Sequence, residues 1–192
     1  MIALNYEANS KTKCEELLNN WVTQYSWESI KRELSTLSTR GSSKDAVLRI
    51  LAAPARLEFL TALAIKSRLP HVRVLPNYAA DDTGLPTSTA GGGIGDIECF
   101  EDTKGILVEV TMAEGRTQTM MEIWPIERHL VDFKEKYTED ADSIFIAPSI
   151  FSDSLRQIKF VADDSKGRNR IRPYRIDDFL SFLETAGHLY AG

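Results

Sequence analysis

The chain has no densely basic segment, and that shortage sets the first limit on what it does. Its 192 residues carry 23 lysines and arginines against 28 aspartates and glutamates, a formal net charge of −5. A protein that grips DNA unaided usually presents a basic footprint that releases counterions from phosphates. If this chain works on DNA, its own affinity is expected to be poor. Cysteine is scarce as well: Cys14 and Cys99 fall in different elements, make no zinc spacing and read as reduced thiols. No apolar run approaches the ~18 residues of a membrane span. The start, Met1-Ile2-Ala3-Leu4-Asn5-Tyr6-Glu7, lacks the basic and apolar regions of an export signal. These absences suggest a cytoplasmic chain with no membrane contact. There is no internal repeat, no Gly-x-Ser-x-Gly motif and no metalloprotease helix motif. The run Gly91-Gly92-Gly93-Ile94-Gly95 is not followed by Gly-Lys-Ser/Thr and leads into a strand, whereas phosphate loops lead into helices.

What is present is ordinary for a globular protein: 43% hydrophobic, 27% charged and 9% aromatic residues. The length suits one domain with a sizeable core, with residues 1–43 as an N-terminal helical segment and 44–192 as the main body. Leu17, Leu18, Trp21, Val22 and Tyr25 recur at helical spacing, and Trp27, Ile30, Leu34 and Leu37 continue the pattern after a Ser26 cap. Trp21 and Trp27 fit a core or a partner contact. A helix is expected over 44–68, capped by Ser42 or Ser43 and kinked or split at Pro54. Glu58 lies in its apolar middle, and pattern alone leaves open whether it faces solvent. A short strand over 72–75 precedes a breaker-rich loop over 76–95. Beyond a strand pair, a helix is expected over 117–137, kinked or restarted at Pro125, with Gln118, Glu122 and His129 on one face. Strands over 143–147 and 174–176, and helices over 155–162 and 177–186 (the latter capped by Asp177), complete a mixed α/β fold with a central sheet flanked by helices.

The chemistry concentrates where Gly95-Asp96-Ile97 turns through Asp102-Thr103-Lys104 to Val108-Glu109-Val110-Thr111. A carboxylate in an apolar strand is costly to bury unless a cation meets it. Two of them, Asp96 and Glu109, can meet over one Mg²⁺, an ion that prefers oxygen ligands and retained waters. The backbone carbonyl of Val110 would add a third protein oxygen. Asp102-Thr103-Lys104 has the acid-any-lysine form found in metal-dependent nucleases, but it lacks a preceding apolar run and reads as a turn. Choosing Glu109 leaves Thr111 where a lysine is usual, and threonine carries no charge. His129, in register with Glu122, is the best substitute in the sequence.

These residues, together with Arg56-Leu57-Glu58 and Arg128-His129, resemble the catalytic domain of AlwI-type type IIS restriction and nicking endonucleases. That group belongs to the PD-(D/E)xK nuclease superfamily and is related to the FokI cleavage domain; the resemblance spans roughly residues 45–185. It implies a single-domain restriction-endonuclease-like fold with residues 44–192 as the nuclease core. It implies that Asp96 and Glu109 bind Mg²⁺ (Mn²⁺ substituting) with the Val110 carbonyl, and that Glu58 completes the metal or water shell. Glu122 and His129 would assist as outer ligand and as water-orienting or proton-transfer group, their division of labour left open. The family normally carries a separate DNA-recognition region, for which this sequence offers only a short helical segment. The member type implied is therefore the small subunit of a heterodimeric enzyme, cutting one strand of double-stranded DNA beside a large nicking subunit that recognises the site. Two other readings stay open: a stand-alone nuclease on branched or damaged DNA, and a non-catalytic assembly subunit.

Overall fold

The computed structural model describes residues 2–191, with side chains from residue 13 onward. Two helices come first, α1 (Ile2–Gln24) and α2 (Trp27–Ser38). Ser26 caps α2, its hydroxyl accepting the Ser29 N–H. Next comes α3 (Ala53–Arg68), whose residues from Ala55 to Ile65 are all buried. A helix whose middle is buried all round, with Arg56, Glu58 and Thr61 among its buried residues, must be covered on every side. Here α1 and α2 cover one flank and the sheet the other. Leu18, Trp21, Ile30, Leu34 and Leu37 share a core cluster with Leu57, Phe59, Leu60 and Leu63.

The sheet has five strands in the order β1-β4-β5-β6-β7. They are β1 (Arg73–Pro76), β4 (Ile97–Glu101), β5 (Lys104–Val110), β6 (Ala141–Ala147) and β7 (Ile171–Arg175). The first three run antiparallel, and β5, β6 and β7 run parallel. The parallel half needs crossover helices: α4 (Gly115–Met121) and α5 (Ile123–Lys136) link β5 to β6, and α6 (Ser152–Asp164) links β6 to β7. A last helix, α7 (Ile176–Thr185), packs back on α2 and α3. The mixed sheet flanked by helices is the architecture the element order predicts.

Several boundaries differ from expectation. The helix expected from 44 begins only at Ala53. Asp45 instead accepts the N–H groups of Val47 and Leu48 at 2.9 Å each, ending in a short 3₁₀ turn over Leu48–Ile50. Pro54 therefore falls in the first turn of α3, where its missing N–H costs nothing, and no kink is needed. The loop over 76–95 contains a hairpin, β2 (Tyr78–Ala80) with β3 (Pro86–Ala90). Asp81 builds its turn by accepting from Thr83 and Leu85, and Trp21 Nε1 donates to Thr83 O at 2.8 Å. The segment over 117–137 splits at Glu122, with Pro125 in the first turn of α5. α7 starts at Ile176, so Asp177 sits inside its first turn and is not the cap. The final strand spans Ile171–Arg175 and tolerates Pro173 because it lies at the sheet edge.

Asp102-Thr103 is the tight turn between β4 and β5, with Asp102 in the left-handed region at φ 53°. Lys104 is held by Asp140 at 2.8 Å. Two residues of the acid-any-lysine triplet form the turn, as expected, and Lys104 opens β5. Both cysteines are free, and among the described residues no helix is long and apolar enough to cross a membrane.

Candidate active site

Five side chains from separate elements meet at the open end of the β4–β5 hairpin. Asp96 sits in the bend just ahead of β4. Its backbone carbonyl accepts the Asn77 N–H, and Asn77 Nδ2 donates to the neighbouring Gly95 O at 2.7 Å. Asp96 Oδ2 in turn accepts the Val110 N–H at 2.8 Å, tying the acid across to β5. Glu109 is buried on β5, and its Oε1 lies 2.9 Å from His129 Nδ1 on α5. Glu58, 3% exposed on α3, accepts the Ala90 N–H at the end of β3. Glu122, at the break between α4 and α5, accepts from the Thr111 hydroxyl at 2.9 Å. All five line one open pocket of about 350 Å³, with Val110 and Thr111 beside them.

The burial of these acids without a lysine or arginine among their hydrogen-bond partners shapes their protonation. Burial, reinforced by the charge of Asp96, pushes Glu58 up to about 8 against the Ala90 N–H. Burial likewise pushes Glu109 up to about 8, with Glu122 and Glu58 acting in the same direction. Asp96 is raised well above the usual carboxylate range by burial and by Glu109, against the Val110 N–H. Burial also raises Glu122, opposed by the Thr111 hydroxyl. His129 is lowered by burial, with Arg128 contributing and Asp96 opposing. The pocket is thus short of positive charge.

That shortage decides what the donor set fits. The ligand atoms are carboxylate oxygens on a mostly buried floor open to solvent on one side. A hard divalent cation such as Mg²⁺ matches this, keeping its waters on the open side. Asp96 and Glu109 would hold it most directly, with Glu58 and Glu122 within the same pocket.

Three features were not legible beforehand. Thr111, noted only as a departure from lysine, positions Glu122. Gly95 admits no side chain: a Cβ there would collide with Leu107 Cδ1 and stand 2.9 Å from Glu109 Oε1. Gln118 does not join the acids. It is fully buried, donating from Nε2 to Ala113 O and Ser149 O and accepting the Phe151 N–H at 2.9 Å. The break at Glu122 explains this, because the shared face required one continuous helix. Gln118→Ala should therefore act on stability, costing about 2–4 kcal/mol by stranding backbone groups of two loops. Denaturant unfolding checks this, with cleavage by the remaining folded protein little changed.

The fold defines the class first. It matches the crystal structure of the small subunit (R.BspD6I2) of the heterodimeric restriction endonuclease R.BspD6I with a TM-score of 0.68. The match covers 83% of this chain and 78% of that one, at 23% sequence identity, so what it establishes is a restriction-endonuclease fold. The family follows from the sequence: the AlwI restriction endonuclease family matches residues 4–182, and the chain belongs to it. No curated protein matches in sequence.

Proposed function

We propose that this chain is the small, catalytic subunit of a heterodimeric type IIS restriction endonuclease, hydrolysing one strand of double-stranded DNA with Mg²⁺. The observation that carries the reading is the convergence of Asp96, Glu109, Glu58, Glu122 and His129 on one pocket short of positive charge. Mg²⁺, if bound there, would supply polarisation of the scissile phosphate, a lowered pKa for an attacking water and neutralisation of the leaving alkoxide. Asp96 and Glu109 would hold the ion, with the Val110 backbone, already tied to Asp96, beside them. Once Glu109 is ionised, the His129 Nδ1–H donates to it and leaves Nε2 free to orient the water or take its proton. Glu58 and Glu122 fix the positions of surrounding waters. The products are 5′-phosphate and 3′-hydroxyl ends.

A larger nicking subunit that recognises the site is the proposed partner. The net charge of −5 argues against tight unaided DNA binding. The helices beside the site expose apolar side chains suited to a protein contact: Met120 at 74%, Met121, Trp124, Leu155 and Phe160 at 55%. Reconstitution tests this. The chain alone with Mg²⁺ should nick plasmid DNA at least about a hundredfold more slowly than when a large subunit holds it at the site. Comparable cleavage by the chain alone would favour the stand-alone nuclease.

A further inference from the structure

Among the described residues, one trio of histidine, aspartate, glutamate or cysteine side chains brings three ligand atoms mutually within 4.8 Å, and it is not the acidic pocket. It consists of His71, Glu101 and His188. His71 lies in the turn before β1, Glu101 ends β4, and His188 lies beyond α7. The chain has 3 histidines, and two of them meet here on one acid. His71 Nε2 and His188 Nδ1 approach the same oxygen, Glu101 Oε1, at 2.6 and 2.8 Å. The other oxygen, Oε2, accepts the Leu189 N–H at 2.8 Å, which fixes the plane of the carboxylate.

We propose that this trio is a binding site for a transition-metal dication of the Zn²⁺ type. The reasoning starts from charge. Glu101 has 2% exposure, yet its partners are two imidazoles and an amide, none of them a permanent cation. Burial alone would raise its pKa, but the hydrogen bonds from His71, His188 and Leu189 outweigh this and keep it below the ordinary range, so the site already holds an anion. Two nitrogens and one oxygen suit a borderline ion such as Zn²⁺ far better than Mg²⁺. Bonds of about 2.0–2.1 Å in a tetrahedral shell require ligand atoms about 3.3 Å apart. The three ligand atoms already lie within 4.8 Å of one another, and the two rings that would adjust to that spacing are half-exposed. Water would complete the shell. The rings are oriented: His188 stacks on Tyr190 at 4.8 Å, and His71 meets His188 edge-on at 5.9 Å.

The ion would fasten the segment after α7 to the sheet. Its site is at the opposite end of β4 from Asp96, about 17 Å along the strand at 3.3 Å per residue, so the ion would not touch the acidic pocket. It does not depend on the nuclease reading.

The test uses the full chain carrying Asp96→Asn and Glu109→Gln, stripped with a chelator and kept in excess Mg²⁺, so that the acidic pocket does not compete. Zn²⁺ alone should bind one equivalent and raise the melting temperature by about 5–10 °C at 100 times its Kd. Co²⁺ in its place should show the visible d–d bands of a four-coordinate ion. His71→Ala and His188→Ala should each weaken binding at least about a hundredfold. Glu101→Gln, which keeps the shape but turns one of the two accepting oxygens into a donor amide, should abolish binding while the protein stays folded by circular dichroism. No bound equivalent, or binding unchanged in these variants, would overturn the proposal.

Discussion

Asp96→Asn and Glu109→Gln should each reduce strand cleavage at least about a thousandfold while making the metal-free protein more stable near pH 8. The loss of activity follows from removing the anionic ligands of the ion. The gain in stability follows from linkage. An ordinary glutamate titrates near 4.5, and in the folded protein Glu109 is pushed up to about 8, as is Glu58. Between those values the folded state retains protons that the unfolded state has released. Stability contributed by these groups is therefore fully present below pH 4.5 and lost as pH rises towards 8. A glutamine cannot ionise and escapes that loss. The expected gain is about 1–3 kcal/mol, below the full shift because the carboxyls share one another's repulsion. For a chain of this length it corresponds to about 2–12 °C in melting temperature. Mg²⁺ should reverse the order, stabilising the wild type at pH 8 and leaving the variants unmoved. Thermal melts with and without chelator across pH 5–8 measure it. A destabilised, metal-insensitive wild type and equally destabilised variants would mean that the acids serve packing alone.

The second large effect is at His129. His129→Ala should slow cleavage about 10²–10⁴-fold, the usual contribution of a positioned proton-transfer group, while Mg²⁺ still stabilises the protein. His129 is lowered from its ordinary value by burial, so it is neutral near pH 7 and able to accept a proton. Its contact with Glu109 Oε1 also orients that ligand. His129→Gln separates the two roles, because glutamine can keep the contact but cannot take a proton. If His129→Gln is as slow as His129→Ala, proton transfer is the role; if it restores the rate, orientation is. Wild-type rates in His129→Ala would remove His129 from the mechanism.

The parts of this account that were legible in the sequence are those in which one residue type has one inexpensive explanation. Acids set beside apolar runs singled out Asp96 and Glu109 before any geometry was known, and the two do come together, Glu109 buried on β5 and Asp96 in the bend ahead of β4. The Asp102-Thr103-Lys104 triplet lacked an apolar run and was read as a turn, which holds for Asp102 and Thr103, while Lys104 opens β5. Periodicity was unreliable where side chains, not hydrophobic spacing, set the boundary. Asp45 bonds its own backbone and delays α3 to Ala53; Asp81 does the same in the hairpin hidden within the 76–95 loop. The Gln118–Glu122–His129 face failed for a related reason: the break at Glu122 sends Gln118 to the 149–151 loop. Glu58 was ambiguous because a glutamate in a fully buried helix has no periodic signature. Only the approach of Ala90, 32 positions away, shows where it points. The His71–Glu101–His188 trio had no sequence signature, since its members lie 30 and 87 residues apart.

The account's central claim is that this chain itself breaks a phosphodiester bond. Strand-resolved cleavage by the complex of a large subunit with Glu109→Gln tests it most directly. The account predicts that the strand cut by the large subunit is nicked at its normal rate while the other strand stays intact. Full double-strand cleavage by that complex would contradict it.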